Sequence, residues 1–322
     1  MFKNGSKTFW IFFAGISLAC LGLGKVPPAD AQSLEKKGKN WNVKLRTQLV
    51  VEDNLAQNPD GSPPLTIPGS DGGWNGNGTA AFTYRHDKKF SVTADYDIDI
   101  TVYQDLGEFD LIAQMWGVKP KYRFNSRMFL ELQYFYIWNI AGGDSFSGIH
   151  YVNPRFAYLH PKWGLTQIQY FVKSTDNFVN QGRDGTQHGG GFTHIYLLPG
   201  SQHYVGLGYQ VSDEDTEGRF DRLKHDFKVL GRLILPLDIK FNGEYKFSLR
   251  KYDAFAADNP GAVREDEQHN YRVRVTKMLT EQWGFMEKLQ ARFEFLHQNN
   301  QSNFSLRDYK TNRFSWGLEA RF

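Results

Sequence analysis

Apolar and polar residues alternate along most of this chain with a period of two. Phe90, Val92, Ala94, Tyr96, Ile98, Ile100 and Val102 interleave with Ser91, Thr93, Asp95, Asp97, Asp99, Thr101 and Tyr103. One face is greasy and the other acidic. A helix turns about 100° per residue and would scatter both sets around its circumference, so the segment is a strand. The pattern recurs. Met128, Leu130, Leu132, Tyr134, Tyr136, Trp138 and Ile140 share a face, as do Ile239, Phe241, Gly243, Tyr245, Phe247 and Leu249. A full pass predicts about fourteen strands, over 41–52, 77–86, 90–103, 111–124, 127–140, 149–160, 165–176, 189–198, 202–212, 221–235, 239–252, 267–279, 285–298 and 309–322.

The connections alternate in length. Short turns fall at Asp87-Lys88-Lys89, Asn125-Ser126, Pro161 to Gly164, Pro199-Gly200-Ser201, Pro236-Leu237-Asp238 and Thr280 to Gly284. Between them lie longer stretches: Asp53 to Gly76, Gln104 to Asp110, Ala141 to Gly148, Asn177 to His188, Asp213 to Phe220, Asp253 to Asp266 and Asn299 to Asp308. Short turns on one side and long loops on the other are the habit of a barrel inserted from the periplasm. A sandwich would alternate in the same way, but its strands usually run about five or six residues, half the length seen here. The expectation is an all-β, closed antiparallel transmembrane barrel of about fourteen strands. Closure is required because lipid offers no partner to an open strand edge.

Composition sharpens this. Mean hydropathy is -0.53, yet 16% of the 322 residues are aromatic. A polar average with that aromatic content suits a wall that faces lipid on one side and water on the other. Net charge is +3, too slight to point to nucleic acid. The N-terminus reads as a secretory signal: Lys3 and Lys7, an apolar stretch from Trp10 to Leu23, then Ala29-Asp30-Ala31, giving cleavage after Ala31. That makes 1–31 a signal peptide and 32–322 the barrel domain. Cys20 is the single cysteine. A lipoprotein reading would acylate it, but Ser17-Leu18-Ala19 puts the leucine in the wrong place for a lipobox. The mature chain then holds no cysteine, which removes thiolate chemistry and disulfides.

The last segment places Phe314, Trp316, Leu318, Ala320 and Phe322 on one face. It resembles the C-terminal signal that the barrel assembly machinery reads in outer-membrane proteins of Gram-negative bacteria. Strand number and chain length resemble the fourteen-stranded monomeric porin G type. That likeness implies passive diffusion of small hydrophilic solutes. More locally, Asn303 to Phe322, with Asp308-Tyr309-Lys310-Thr311-Asn312-Arg313, looks like the end of surface lipoprotein assembly modifier barrels. This second likeness implies an alternative role in translocating or displaying a surface protein or lipoprotein. Members of that family usually carry a helical repeat domain before the barrel; here residues 32–40 separate Ala31 from the first strand.

With the greasy face outside, the other face lines the lumen. Its basic candidates are Lys44, Arg46, Arg85, Lys119, Lys121, Arg123, Lys228, Arg232, Lys240, Lys246, Arg250, Arg272, Arg274, Arg292, Arg313 and Arg321. The acidic set is smaller: Glu52, Asp95, Asp97, Asp99, Glu131, Asp226, Glu244, Glu294 and Glu319. Facing lipid, each Lys or Arg would cost roughly 2–4 kcal/mol at the midplane, so these charges need water or partners. Two readings stand. A basic wall opposite an acidic strand sets a transverse field that selects solutes, with anions or acidic saccharides favoured. Alternatively the charges pair and merely solubilise the interior.

Aromatic girdles are expected from Trp41, Tyr122, Phe124, Tyr158 and Trp163 at the periplasmic boundary and from Tyr136, Trp138, Tyr151 and Tyr252 at the outer one. No strand shows an obvious polar or small-residue lipid face, which fits a monomer. Lipid and lipopolysaccharide are the expected neighbours. No cofactor is called for. Asp213-Glu214-Asp215 with Glu217 lacks the ordered spacing of a calcium loop. Asp184 with His188 and His194, and Asp144 with Ser145 and His150, are the groups a rim hydrolase would use, the second alternative function.

Overall fold

A computed structural model describes residues 40–53, 70–198, 202–216, 221–255, 263–304 and 307–322. The signal-peptide stretch, Cys20, the Pro-rich part of the first loop, Pro199-Gly200-Ser201 and Glu217 lie outside them. Fourteen strands form one closed antiparallel barrel: β1 Trp41–Glu52, β2 Asp71–Arg85, β3 Phe90–Tyr103, β4 Leu111–Arg123, β5 Met128–Ala141, β6 Asp144–His160 and β7 Gly164–Asn177. The ring continues with β8 Gly185–Leu197, β9 Tyr204–Thr216, β10 Arg222–Leu235, β11 Ile239–Phe255, β12 Val263–Trp283, β13 Met286–Ser302 and β14 Tyr309–Arg321. Each strand pairs with its chain neighbours, and β14 returns to β1 from Lys44↔Arg321 to Glu52↔Arg313. The seam is fastened at both ends. Phe322 donates its N–H to the Val43 carbonyl at 3.0 Å, and Asp53 donates its own to the Asn312 carbonyl at 3.0 Å.

The packing is inside out. Among the described residues 19 buried side chains are polar or charged and seven are hydrophobic, while large apolar groups such as Leu49, Trp116, Ile168, Leu207 and Phe314 stand exposed. That is the burial pattern of a wall whose outer solvent is hydrocarbon.

The predicted strands are all present, and several run further toward the long-loop rim. β2 begins at Asp71, β6 at Asp144, β9 ends at Thr216, and β11, β12 and β13 reach 17, 21 and 17 residues against 12 for β1. Most of the added segments, such as Arg264-Glu265-Asp266 and Asp213-Glu214-Asp215-Thr216, are polar on both faces. Backbone pairing holds them without a lipid-facing row, so alternation does not reveal them. Two expected connections are corrected. In Thr280 to Gly284 β12 runs on to Trp283 and the turn is Gly284-Phe285. Ala141 to Gly148 is mostly strand: pairing continues to Ala141↔Asp144 after a bulge near Asn139, leaving Gly142 (φ 58°) and Gly143 (φ 95°) as a two-residue turn. Two adjacent left-handed glycines match the twist of a tight hairpin.

Elsewhere side chains close the connections. Asp87 accepts the N–H groups of Lys89 and Phe90 at 2.7 Å each, and Asn125 those of Arg127 and Met128. At the other rim Asp110, Asp184, Asp221 and Asp308 each accept the N–H of a residue ending the preceding strand: Tyr103, Asn177, Thr216 and Ser302.

Candidate functional site: the charged lumen

Every lumen candidate read from the sequence falls on the inward face. The register shows it: Arg46, Asn77 and Asp99 are successive partners across β1, β2 and β3, as are Lys228, Lys246 and Asn270 across β10, β11 and β12. The concave side is identified by a cavity of about 180 Å³ that brings together Asp99 of β3 and Arg272 of β12. Residues that far apart around a wall share a cavity only from within.

The charge is unevenly placed around the ring. On β3 the inward positions carry Asp95, Asp97 and Asp99 and no base. β10 lies seven strands away in either direction, diametrically opposite. There β10 and β11 present seven basic inward residues, among them Lys224, Lys228, Arg232, Lys240, Lys246 and Arg250, against Asp226 and Glu244. An acidic arc therefore faces a basic one across the lumen.

Most of these charges pair, along the wall and between near neighbours. Lys119 Nζ lies 3.0 Å from Asp95, and Arg46 3.1 Å from Asp99. Glu131 takes Lys121 at 3.8 Å and Arg155 at 3.3 Å. Asp226 is held by Lys224 at 3.1 Å, Lys246 at 3.2 Å and the Ser248 hydroxyl at 2.5 Å. Glu294 takes Arg274 at 2.6 Å and Arg292 at 2.8 Å, while Arg321 reaches Glu319 at 3.2 Å. Such partly screened pairs orient side chains more than they stabilise the barrel. Arg123, Lys240 and Arg272 make no side-chain hydrogen bond or ion pair among the described residues. Arg250 bonds Gln268, and Arg313 reaches Glu52 at 3.8 Å.

Sequence reasoning missed part of this lining. Arg155, Lys173, Glu214, Arg222, Lys224, Arg264 and Asp266 also face inward. It also misplaced two tyrosines. Tyr151 stacks between Phe135 (6.1 Å) and Phe171 (5.8 Å), an inward aromatic arc across β5, β6 and β7 beside Lys119. Tyr252 is 3% exposed, accepts a bond from Arg222 at 3.1 Å and lies 4.4 Å beneath the Arg264 guanidinium. The signal was present: Tyr151 shares its parity with Asn153 and Arg155, and Tyr252 with Arg250.

On the outward face Trp41, Tyr122 and Trp116 are exposed, and Tyr134, Tyr209 and Tyr245 hydrogen-bond His150, His225 and His269 at 2.8 to 3.0 Å. β2 departs from the expected lipid face, since Gly72, Gly76, Gly78 and Ala80 point outward. Trp74 lies flat over Gly76, its indole donating to Thr47 at 2.8 Å. The hydrolase candidates do not assemble. Asp184 holds a backbone N–H, His194 partners Thr166, and His150 partners Tyr134. The acidic run Asp213-Glu214-Asp215 is split by strand parity, with Glu214 turned inward onto Arg222.

The sequence profile of the surface lipoprotein assembly modifier family matches residues 41–322, the whole barrel. The chain belongs to this family. A comparison with curated proteins returns no match. Among solved structures the barrel is similar to the outer membrane protein OprD from Pseudomonas aeruginosa, at 10% identity and a TM-score of 0.46 over 89% of this chain and 96% of that one. It is also similar to an outer membrane channel from Pseudomonas putida F1, at 11% identity and a TM-score of 0.44 over 92% and 100%. These likenesses concern the fold alone. The chain forms an outer-membrane barrel, and the family match begins at Trp41, the first residue of β1.

Proposed function

We propose that the protein is an outer-membrane channel for passive diffusion of small hydrophilic solutes, with a preference for anions or acidic saccharides. The observation that carries this reading is the opposition of the acidic β3 face to the basic β10–β11 face across one lumen. A solute between them meets a field directed across its path, as at charged rings in pores. The excess of bases sets the sign of the preference. In this reading 1–31 is a cleaved signal peptide, 32–322 is the barrel domain, and the short-turn rim faces the periplasm. The barrel is embedded in lipid and lipopolysaccharide, assembled through the signal in Phe314, Trp316, Leu318 and Phe322, and the small-residue outer face of β2 takes away the ground on which the sequence pointed to a monomer. Lys119, Lys121, Arg123, Lys240, Lys246, Arg250, Arg272 and Arg274 with Arg46, Asp95, Asp97 and Asp99 tune selectivity.

The test is a planar bilayer recording on protein purified from outer membranes. Stepwise conductance with an anion-selective reversal potential supports the reading. Cation selectivity overturns the anion preference, and a silent, correctly folded barrel overturns the channel itself. Membership of a family named for surface lipoprotein assembly favours a second reading, in which the barrel helps move or display a surface protein. Loss of a surface lipoprotein on deletion of the gene, with no change in solute uptake, would decide for it.

A further inference from the structure

We propose that the lumen cavity between β12 and β3 is a binding site for a monomeric sugar acid, a small molecule with one carboxylate and several hydroxyls. The inference rests on the open, hydrated lumen of the channel reading and names a solute for it.

The cavity measures about 180 Å³ and is lined by Arg46, Gln48, Asp99, Arg272, Glu294 and Arg313. At about 30 Å³ per water it holds roughly six water volumes, well below the 300–1,000 Å³ of sites for drug-sized ligands. The part of an occupant that these side chains can grip is therefore small. Its charges are not equivalent. Arg46 is committed to Asp99 at 3.1 Å. Glu294 is neutralised from outside the cavity by Arg274 and Arg292. Arg313 leans to Glu52 at 3.8 Å, outside the lining. Arg272 makes no side-chain hydrogen bond or ion pair among the described residues. A guanidinium fork that no carboxylate contacts directly, and that only adds to the positive field on Glu294, matches an incoming carboxylate, which it grips with two parallel bonds.

A second group asks for something different. Gln48 is 7% exposed, and its Oε1 has no hydrogen-bond donor. The orientation of this amide is fixed by its neighbours. Buried Asn75 donates from Nδ2 to Asp99 at 2.7 Å and to Thr101 at 2.9 Å, so its Oδ1 must face Gln48 and accept from Gln48 Nε2 at 3.1 Å. That leaves the Gln48 carbonyl oxygen as a buried acceptor without a donor, which a ligand hydroxyl would supply by drawing the side chain toward the cavity. Sulfate or chloride brings only acceptors and would satisfy Arg272 but not Gln48. A neutral sugar brings hydroxyl donors but leaves Arg272 unmatched. A sugar acid serves both.

Isothermal titration of the detergent-solubilised protein with glucuronate, glucose and sulfate tests the site without any current. Glucuronate is expected to bind in preference to both. Arg272→Gln should weaken it by roughly tenfold or more, the loss of a bidentate charge-assisted contact. Gln48→Met should reduce the preference for glucuronate over sulfate while sulfate binding stays in place. Heat-modifiable migration on gels establishes that each variant is folded. Equal binding of glucose and glucuronate, or wild-type affinity in folded Arg272→Gln, overturns the proposal. A barrel that conducts but binds no glucuronate removes the site and keeps the channel. One that binds glucuronate but never conducts keeps the site and removes the channel.

Discussion

Asp95 reaches past Gly117 to Lys119. Gly117 sits directly opposite Asp95 in the β3–β4 register, and the ammonium of Lys119 lies 3.0 Å from the carboxylate. A Cβ at position 117 would come within 2.7 Å of Asp95 Oδ1. The glycine is thus the gap through which acid and base meet on the inward face.

This relationship predicts selectivity changes at small cost in stability. Asp95→Asn breaks the ion pair with Lys119 and removes one negative charge from the acidic arc. The reversal potential in a salt gradient should move toward anions. Gly117→Ala should move it the same way by displacing the carboxylate. The melting temperature of Asp95→Asn should fall only modestly, since the introduced amide keeps an acceptor for the Lys119 ammonium and that ammonium stays partly exposed. A shift toward cations would show that the pair does not set the local potential.

The closing seam is the sensitive point for stability. A Cβ on Gly317 would lie 1.9 Å from the Thr47 carbonyl oxygen and 2.5 Å from the Gln48 Cα. Both are backbone, so relief requires β14 to move away from β1. Gly317→Ala should destabilise the barrel by about 1–3 kcal/mol, the usual range for overpacking. The folded band on heat-modifiability gels should disappear at a lower temperature. An Ala variant with wild-type thermal behaviour would mean that the seam is looser than its geometry.

The β2–β3 turn carries a pH dependence. Backbone N–H groups of Phe90 and Lys89 hold the Asp87 carboxylate below its ordinary range. A lowered folded-state value means the contribution is present above the unfolded pKa and fades as pH falls through the folded one. Asp87→Ala should therefore destabilise at neutral pH. Its difference from wild type should shrink once the pH drops below the usual aspartate value of 3.8. A gap between the two melting curves that is constant from pH 7 to pH 3 would exclude the carboxylate as its source.

How much of this was visible in the chain itself depends on what each residue has to satisfy. Strands facing lipid must alternate, so β3 and β1 were read to their ends, 90–103 and 41–52. Above the lipid neither face of β12 has to be greasy, and Val263 to Asp266 escaped notice. Lumen charges were legible for the same reason, because lipid cannot accept them. Partners were not. That Asp226 serves both Lys224 and Lys246 depends on register between strands, and parity within one strand is silent on it. Tyr151 and Tyr252 were misplaced because an aromatic ring suits a lipid interface and a lumen equally well.

Phe322 separates assembly from stability. Its ring stacks on Phe285 at 5.6 Å and continues the outward row of Phe314, Trp316 and Leu318. Phe322→Ala, which keeps the seam's N–H bond to Val43, should lower the amount of barrel inserted in living cells several-fold, while purified chain refolds in detergent nearly as before. The comparison is surface yield against refolding yield. An equal fall in both would assign the residue a structural role and no part in recognition.

The unequal strands give the barrel a high side and a low side. At about 3.3 Å per residue and a tilt of about 40°, β12 stands roughly 50 Å tall and β1 roughly 30 Å, over an apolar band of about 25 Å. Beyond the level where Glu52 ends β1, β13 continues to Ser302 and β12 to Val263. Among the described residues the strand ends are therefore cut on a slant, like the lip of a jug, and β11, β12 and β13 form its raised flank.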